Sequence, residues 1–260
     1  AYDEDRGTGL LRHTVLRSSA DGKVLVTLVT PGPELPGSKN FCAAMRKKAP
    51  WVVSIVQNIN PTLSSAVLGN REKTLYGPGF VLDTLCGLQF AISSRSFYQV
   101  NPRQTEVVYR AALDAAKLTG KETVVDAYCG IGTIGMVAAK TVKEVIGVEL
   151  NAEAVRDAQS NARRNNMKNI RFVQGDAGVF LEGMADREEA VDVVFMDPPR
   201  SGSSPEFLKS LLVIRPKKIV YISCEPETQA RDLKTLKKDY KVEAIQPVDM
   251  FPFTEKCETV

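Results

Sequence analysis

The second half of the chain alternates short apolar runs with longer amphipathic stretches. Such alternation is typical of βαβ units and predicts an α/β fold, with a mostly parallel sheet and helices on both faces. The predicted strands are Thr123–Tyr128, Glu144–Leu150, Ile170–Gln174, Asp192–Met196, Lys217–Ser223 and Val242–Gln246. The predicted helices are Thr133–Lys140, Ala152–Asn166, Gly178–Met184, Pro205–Leu212 and Glu227–Asp239.

The first 96 residues follow a different pattern. Strand-like apolar runs are separated there by turn-forming proline and glycine residues. The predicted strands are Arg12–Arg17, Val24–Val29, Val52–Asn58 and Gln89–Ser93, and the predicted helix is Lys39–Lys48. We therefore expect a small α+β domain over residues 1–96 and the α/β domain over residues 97–260, with a helix at Arg103–Leu118 leading into the main sheet.

The composition is that of a globular protein of ordinary polarity, with 43% hydrophobic and 25% charged residues. No apolar stretch approaches the roughly 20 residues of a membrane span, and no signal peptide opens the chain. We therefore expect a cytoplasmic protein without a membrane partner, and a monomer.

The cysteine and histidine content limits the possible chemistry. The five cysteines are widely spaced and include no C-x-x-C pair, which argues against a disulfide framework and against a local zinc or iron–sulfur site. His13 is the only histidine, so a Ser-His-Asp triad, a Cys-His pair and a multi-histidine metal site are not expected. We expect no metal, and a catalytic base that is a carboxylate, a lysine, a tyrosine or water.

The charge is unevenly distributed along the chain. Residues 1–120 carry 14 Lys and Arg against 9 Asp and Glu, whereas the remainder carries 20 against 22. A basic excess in the amino-terminal part fits contact with phosphates. A solvated basic surface without such a role explains the same numbers equally well.

A glycine-rich turn follows the first predicted strand of the α/β domain. Its motif Gly130-x-Gly132-x-x-Gly135 satisfies the spacing of a dinucleotide fingerprint, and Glu149 ends the next predicted strand. An acid at that position is placed to accept hydrogen bonds from ribose hydroxyls. An NAD site is one alternative, and glycines that only allow a strand to pack closely on a helix are another.

Two further acids favour one cofactor over the other. Asp126 on the first strand can receive the amino group of an amino-acid moiety, and Asp176 after the third strand can contact an adenine amino group. Acids after three successive strands suit a cationic sulfonium with ribose and adenine. We therefore expect S-adenosylmethionine rather than NAD.

Two more strands end in residues with chemical potential. Asp197-Pro198-Pro199-Arg200 follows one strand, and Ser223-Cys224-Glu225-Pro226 follows the next. Rigid prolines can fix a hydrogen-bonding aspartate, and a thiolate just before a helix gains from the helix dipole. A thiolate that adds to C6 of uracil makes C5 nucleophilic towards a methyl donor, so Cys224 is a candidate nucleophile. A buried, inert cysteine is the alternative.

The motifs along the chain resemble those of the RNA uracil-C5 methyltransferases, which make 5-methyluridine in transfer and ribosomal RNA. The resemblance covers the chain from about residue 10 to its end, and the form of Gly9-Leu-Leu-Arg12-His13 is closest to the 23S ribosomal RNA branch. The matching motifs are Phe97-Tyr-Gln99-Val-Asn101, Asp126-Ala-Tyr128-Cys-Gly130, Asp197-Pro-Pro-Arg200, Ser223-Cys224-x-Pro226-x-Thr228, Ala230-Arg231-Asp232-Leu233 and Asp249-Met-Phe251-Pro252.

The resemblance implies a Rossmann-like S-adenosylmethionine-dependent methyltransferase sheet and a role for each matching residue. It makes Cys224 the nucleophile and Glu258 the base that removes the C5 proton. Residues implied to bind the cofactor are Gln99, Asp126, Tyr128, Gly130, Gly132, Thr133, Glu149, Asp176 and Asp197. Residues implied to bind the RNA substrate are Phe97, Gln99, Asp197, Arg200 and Arg231. Phe97 would stack on a flipped uracil; a place in the core is the alternative for Phe97, and a solvated position is the alternative for Glu258.

Other functions stay open at this point. One alternative is methylation of uracil C5 in tRNA rather than in 23S rRNA. Another is a cytosine-C5 or amino-directed nucleic-acid methyltransferase, although Arg200 after the prolines argues against the amino-directed version. A third is a non-catalytic RNA-binding module that retains the fold.

Overall fold

The computed structural model of the protein describes residues 2–3, 5–62 and 64–260. The described residues form two compact units. The first comprises residues up to Thr84 together with Gln89–Ser96, and the second comprises Leu85–Leu88 and Phe97–Val260. No helix among the described residues is long and apolar enough to cross a membrane.

The first unit is built on a mixed four-stranded sheet with strand order β1-β2-β3-β4. The β1/β2 and β3/β4 pairs are antiparallel, and the β2/β3 pair is parallel and joined by helix α1. These elements are β1 (His13–Ser18), β2 (Val24–Thr30), α1 (Ser38–Lys48), β3 (Val52–Ile59) and β4 (Arg71–Tyr76). The predicted α+β character is confirmed.

Central strands carry the core of this unit. Every residue of β2 after Val24 is buried, whereas β1 alternates half-buried and exposed positions as an edge strand does. Val26, Leu28 and Ile55 pack with Cys42 of α1 in one apolar cluster. Each such side chain removed from water contributes about 1.5–3 kcal/mol.

Two strands of this region escaped prediction. β4 presents the exposed sequence Arg71-Glu-Lys-Thr74 and is held by backbone pairing with β3 rather than by apolar burial. A hairpin of β5 (Phe80–Leu85) and β6 (Leu88–Ser93) follows, and its turn residues Cys86 and Gly87 have φ of 51° and 76°. Two successive positive φ values are what a tight hairpin turn needs. Buried Asp83 interrupts the apolar pattern of β5 because it accepts a hydrogen bond from the N–H of Ala20 (2.9 Å).

The second unit contains the predicted parallel sheet, with strand order β11-β10-β7-β8-β9 and parallel pairing throughout. Its strands are β7 (Thr123–Ala127), β8 (Glu144–Glu149), β9 (Ile170–Gln174), β10 (Val193–Met196) and β11 (Lys218–Tyr221). Its helices are α2 (Pro102–Ala116), α3 (Thr133–Ala139), α4 (Ala152–Arg164), α5 (Ala177–Asp186), α6 (Pro205–Ile214) and α7 (Pro226–Leu236). The α/β fold class is confirmed.

The strand order makes β7 the point at which the winding of the sheet reverses. The chain steps from β7 to β8 and β9 in one direction, then returns to place β10 on the other side of β7. Right-handed crossovers in opposite directions put helices on both faces of such a sheet, and the crevice at the carboxyl ends of the two strands flanking the reversal is where these folds bind ligands. The loops after β7 and β10 therefore define the place to look for a site.

Buried apolar side chains fill the space between the sheet and its helices. Val125, Ile146 and Val194 come from three adjacent strands, and Leu181 and Phe207 come from α5 and α6. The strands are apolar on both faces, as expected for a parallel sheet covered on both sides.

The last stretch of the chain departs from the prediction. Val242–Gln246, predicted as a strand, has no regular secondary structure, and four of its five residues are exposed. Gln246 alone exchanges backbone hydrogen bonds with another segment, at Val260, among those described for this stretch. Instead β12 (Pro247–Val248) pairs antiparallel with β13 (Glu258–Thr259).

Candidate functional site

The turn after β7 wraps around the carboxyl end of that strand. Tyr128, Gly130 and Gly132 all have positive φ, at 61°, 54° and 82°. An ideal Cβ on Gly130 would meet nothing within 4 Å, whereas one on Gly132 would lie 2.7 Å from the ring of Phe172. Gly132 is therefore required by packing as well as by backbone conformation, and Gly130 leaves the space above the turn open.

Asp126 and Gly135 explain the third glycine of the motif. The amide N–H of Gly135 donates to Oδ2 of Asp126 (2.9 Å), and a Cβ at position 135 would approach that oxygen to 2.6 Å. Asp126 is buried, and burial raises its pKa to about 7. The close approach of α3 to β7 thus places a carboxyl group of unusually low acidity beneath the turn.

Glu149 closes the other side of the turn. Its Oε2 accepts the N–H of Gly130 (3.0 Å) and its Oε1 accepts the N–H of Asn151 (2.8 Å). Asp176 caps α5, and its Oδ1 accepts the N–H groups of Gly178 (2.8 Å) and Val179 (3.1 Å). Both carboxylates are oriented by backbone donors and keep acceptor capacity, because each oxygen has two lone pairs.

Thr133 and Tyr128 complete the predicted cofactor residues on this turn. Thr133 starts α3, and its hydroxyl hydrogen-bonds to the hydroxyl of buried Tyr109 (2.5 Å). The ring of Tyr128 packs against Phe207 with centroids 5.1 Å apart. A tyrosine held at positive φ is a strained conformation that the surroundings must impose.

Cys224 and Glu258 are brought together by a short antiparallel pairing. Ser223 and Thr259 exchange two backbone hydrogen bonds, of 2.9 and 2.8 Å. In antiparallel register the residue after Ser223 lies opposite the residue before Thr259, so Cys224 faces Glu258. Side chains of such partners project from the same face with Cβ atoms about 4.5–5.5 Å apart. Candidate nucleophile and candidate base thus share one small surface.

Two carboxyl groups of this cluster, those of Glu258 and Asp197, have raised pKa values. Burial raises the pKa of Glu258, which is 1% exposed, to about 7. Burial, with repulsion from Glu258 and Asp126, raises the pKa of Asp197 to about 8. The alternative of a solvated position for Glu258 is therefore wrong. The negative charges of Glu258 and Asp126 disfavour ionisation of Asp197, which follows the carboxyl end of β10.

The thiol of half-buried Cys224 responds to the same environment. Burial and the carboxylate of Glu258 raise its pKa, and a hydrogen bond from the side chain of Arg200 lowers it. The sequence-based expectation that the helix dipole of α7 activates the thiol is outweighed here, because burial and a nearby negative charge act against ionisation. Arg200 is the cation that opposes them.

The loop that carries Arg200 is braced from α7. Buried Asp232 accepts the N–H of Ser203 and the hydroxyl of Tyr221, both at 2.8 Å. Arg231 donates to Asp232 Oδ1 (2.7 Å) and to the carbonyl of Ser201 (2.8 Å). Arg231 thus supports the Asp-Pro-Pro-Arg loop, and its predicted contact with substrate stays a prediction.

The remaining predicted site residues precede α2. Phe97 is 72% exposed, so its alternative place in the core is excluded, and Gln99 is half-buried. Asn101 caps α2, accepting the N–H of Gln104 (3.3 Å) and donating to the carbonyl of Met250 (3.2 Å). This contact ties the segment of Phe97 and Gln99 to the chain just after β12.

Comparison with known proteins bears on the whole second unit. The model of a family described as tRNA (Uracil-5-)-methyltransferase matches residues 87–260. The chain belongs to this family.

Individual proteins that are similar to this chain support the same family assignment. An uncharacterised RNA methyltransferase from Halalkalibacterium halodurans is 46% identical over all of this chain and 57% of its own length, and one from Listeria innocua is 45% identical with the same coverage. The crystal structure of Pyrococcus abyssi tRNA (uracil-54, C5)-methyltransferase in complex with S-adenosyl-L-homocysteine superposes with a TM-score of 0.80 at 32% identity, covering 98% of this chain and 60% of that one. The chain thus spans a little more than half the length of these relatives.

Three residues of the family member near Cys224 were not singled out from the sequence. Two of them are Gln229 and Thr259, which hydrogen-bond to each other; the third is Glu225, whose Oε2 lies 3.0 Å from Nζ of Lys256. For Gln229 a signal exists: it shares the buried face of α7 with Asp232. A polar residue at a core position of a helix is informative because burial requires hydrogen-bond partners.

Proposed function

We propose that the protein transfers a methyl group from S-adenosylmethionine to C5 of a uridine in RNA, through a covalent bond between Cys224 and C6 of the base. The observation that carries the proposal is the register that sets Cys224 opposite Glu258 beside Asp197 and Arg200. A nucleophile and a base on one face are what addition and later elimination at adjacent ring carbons require.

The residues after β7, β8 and β9 fit an adenosyl cofactor. The open space above Gly130 admits a ligand against the backbone. Glu149 would accept ribose hydroxyls, Asp176 the adenine amino group, and Asp126 the amino group of the methionine part. These acids offer acceptors and negative charge to a ligand that carries hydroxyl and amino donors and a sulfonium, and Tyr128, Gly132, Thr133, Gln99 and Asp197 are proposed to line the same crevice.

The chemistry follows from the residues of the cluster. The thiolate of Cys224 forms a bond from Sγ to C6, and the electrons of the C5=C6 double bond move to the C4 carbonyl as an enolate. Bound S-adenosylmethionine would supply an electrophilic methyl group: C5 of the enolate would form a bond to that carbon as the sulfur–methyl bond breaks, and S-adenosylhomocysteine would leave. Glu258 then takes the proton from C5, the C5=C6 bond re-forms, and the bond between C6 and Sγ breaks to return the thiolate.

The neighbouring groups support these steps. Arg200 hydrogen-bonds to the thiol and favours its ionised form. Asp197, with its pKa raised to about 8, is protonated at neutral pH and has an O–H to donate to a base edge. Exposed Phe97 offers a ring on which an extruded uracil stacks. Gln99, Asp197, Arg200 and Arg231 are the proposed polar contacts to RNA.

The RNA remains a matter for experiment. The sequence favours 23S rRNA, whereas the solved relative acts, by its name, on uracil 54 of tRNA. We keep 23S rRNA as the prediction, with a cytoplasmic monomer as the acting form.

The test is transfer of labelled methyl groups to transcripts of tRNA and of 23S rRNA fragments, followed by nucleoside analysis. The proposal predicts 5-methyluridine, its loss in Cys224→Ala, and its retention in Cys86→Ala, a partly exposed cysteine on a hairpin turn. Labelled cytidine or adenosine, or undiminished transfer by Cys224→Ala, would contradict it. RNA binding without transfer would favour the non-catalytic module.

A further inference from the structure

The strand that carries Glu258 is only two residues long. On one side β13 pairs with β12, and two backbone hydrogen bonds between Val260 and Gln246 extend this pairing by one residue. On the other side Thr259 pairs with Ser223 alone. A slip of so short a strand by one residue would turn every side chain to the opposite face, so a constraint from a side chain adds to what the backbone provides for Glu258.

A side-chain bridge from α7 supplies that constraint. The amide of Gln229 donates from Nε2 to the carbonyl of Tyr221 (3.0 Å), the last residue of β11. Its Oε1 accepts the hydroxyl of Thr259 (2.6 Å). Both contacts are shielded from water, with Gln229 8% and Thr259 7% exposed. One glutamine thus joins the end of β11, helix α7 and the residue that follows Glu258.

We propose that Gln229 is a positioning residue that acts through Thr259 to hold Glu258 opposite Cys224. The inference rests on the proposed function, in which Glu258 removes the C5 proton. The amide matches its two partners in only one orientation, with the N–H group towards a carbonyl and the oxygen towards a hydroxyl. Only the register seen here satisfies both, so the bridge selects it.

The bridge constrains the base Glu258 more than it constrains the nucleophile Cys224. Cys224 follows a segment that has further anchors outside the bridge, because the N–H of Ile222 donates to the carbonyl of Met196 (2.9 Å) and Ser223 Oγ accepts the N–H of Glu225 (3.1 Å). The hydroxyl of Thr259 is the group on β13 that Gln229 of α7 contacts. Loss of the bridge should therefore misplace the base while leaving the nucleophile in place.

A direct experiment compares four variants. Gln229→Leu and Thr259→Val remove the bridge from either end, Thr259→Ser keeps the hydroxyl, and Gln246→Leu is a matched control. Gln246 is an exposed glutamine beside β13 whose amide contacts only the carbonyl of Pro247 among the described residues. Thermal unfolding establishes that each variant is folded before its kinetics are read.

The first readout is single-turnover reaction with uridine-containing RNA. We expect elimination to slow about tenfold or more in Gln229→Leu and Thr259→Val, because a base displaced by about 1 Å loses rate steeply, so the covalent RNA complex accumulates while its formation is little changed. Thr259→Ser and Gln246→Leu should behave as the unaltered protein. A fifth variant that combines Gln229→Leu with Thr259→Val should be no slower than either single one, because the two residues act as a unit. Equal slowing of formation and elimination, or none, would overturn the proposal.

The second readout needs no RNA and separates this proposal from the proposed function. Glu258 suppresses ionisation of Cys224, so a displaced Glu258 lets iodoacetamide label Cys224 faster at pH 8. Gln229→Leu should approach the labelling rate of Glu258→Gln, several-fold above the unaltered protein. An unchanged rate would refute positioning by Gln229 even if methyl transfer occurs. A raised rate would support it even if uracil is not the target.

Discussion

Replacement of Glu258 by glutamine should make Cys224 more reactive while it destroys turnover. The substitution keeps the shape of the side chain and removes its charge. Burial and Glu258 both raise the pKa of the Cys224 thiol in the present structure, and Arg200 lowers it. Glu258→Gln removes one of the effects that disfavour the thiolate and leaves the cation Arg200 in place.

The magnitude follows from the register. Cross-strand partners set the thiolate and the carboxylate about 6 Å apart, and two unit charges at that distance in an effective dielectric of about 20 repel by about 3 kcal/mol. Solvent at half-buried Cys224 reduces this repulsion, so we expect the pKa of the thiol to fall and the thiolate population to rise by about tenfold. Because the pKa of Glu258 is about 7, the difference develops above pH 7, where Glu258 is charged.

The assay is the rate of iodoacetamide labelling of the Cys224 peptide between pH 6 and 9, followed by mass spectrometry. At pH 8 the Glu258→Gln rate should exceed that of the unaltered protein about tenfold, and the two should converge towards pH 6. Glu227→Gln, an exposed acid in the first turn of α7, is the control and should change little. Equal rates for Glu258→Gln and the unaltered protein at pH 8 would refute the reasoning.

Three further predictions concern stability. The buried carboxyl of Asp126 has a pKa raised to about 7, above its unfolded value of about 4, so its ionisation should lower the free energy of unfolding as pH rises from about 4 through 7. In urea titrations, Asp126→Asn should make the loss of stability between pH 5 and pH 8 smaller by about 2–4 kcal/mol. An unchanged loss of stability in the variant would contradict this prediction. Gly135→Ala should lower the melting temperature by several degrees, because about 1–3 kcal/mol is needed to accommodate the new Cβ against Asp126. The control Gly175→Ala should leave the melting temperature nearly unchanged, because a Cβ at position 175 meets open space. Asp232→Ala should lower the free energy of unfolding by about 3–5 kcal/mol in chemical denaturation, because it leaves a backbone amide, a tyrosine hydroxyl and a guanidinium without this acceptor. The control Asp239→Ala removes an exposed ion-pair partner and should lower it by less than about 1 kcal/mol. Similar losses for the two variants would argue against the role of Asp232 in supporting the loop of Arg200.

Sequence patterns predicted the elements that burial defines. The strands of the parallel sheet are confirmed within one or two residues because their apolar runs are covered on both faces. β4 was missed because its exposed, charged sequence carries no such signal. The strand predicted at Val242–Gln246 was wrong for the opposite reason: its apolar residues resemble a strand, but among the described residues only Gln246 of this stretch pairs through its backbone, with Val260.

The candidate site was predictable as a set of residues but not as a geometry. Glu258 and the role of Cys224 were named with the help of the family resemblance, yet their opposition depends on a chain segment that returns 36 residues later to pair with one residue. The direction of the thiol pKa shift was likewise beyond the sequence, because it depends on burial and on Glu258 rather than on the helix that follows Cys224. Long-range contacts of this kind leave no local pattern.

Mechanism-based trapping tests the central claim most directly. Short tRNA and 23S rRNA fragments carrying 5-fluorouridine are incubated with the protein and S-adenosylmethionine, and denaturant-stable complexes are digested and sequenced by mass spectrometry. Fluorine cannot leave C5 as a cation, so elimination should stall and the modified base should remain attached to the peptide that contains Cys224. Attachment to another residue, or no adduct although RNA and cofactor are both shown to bind, would contradict the account.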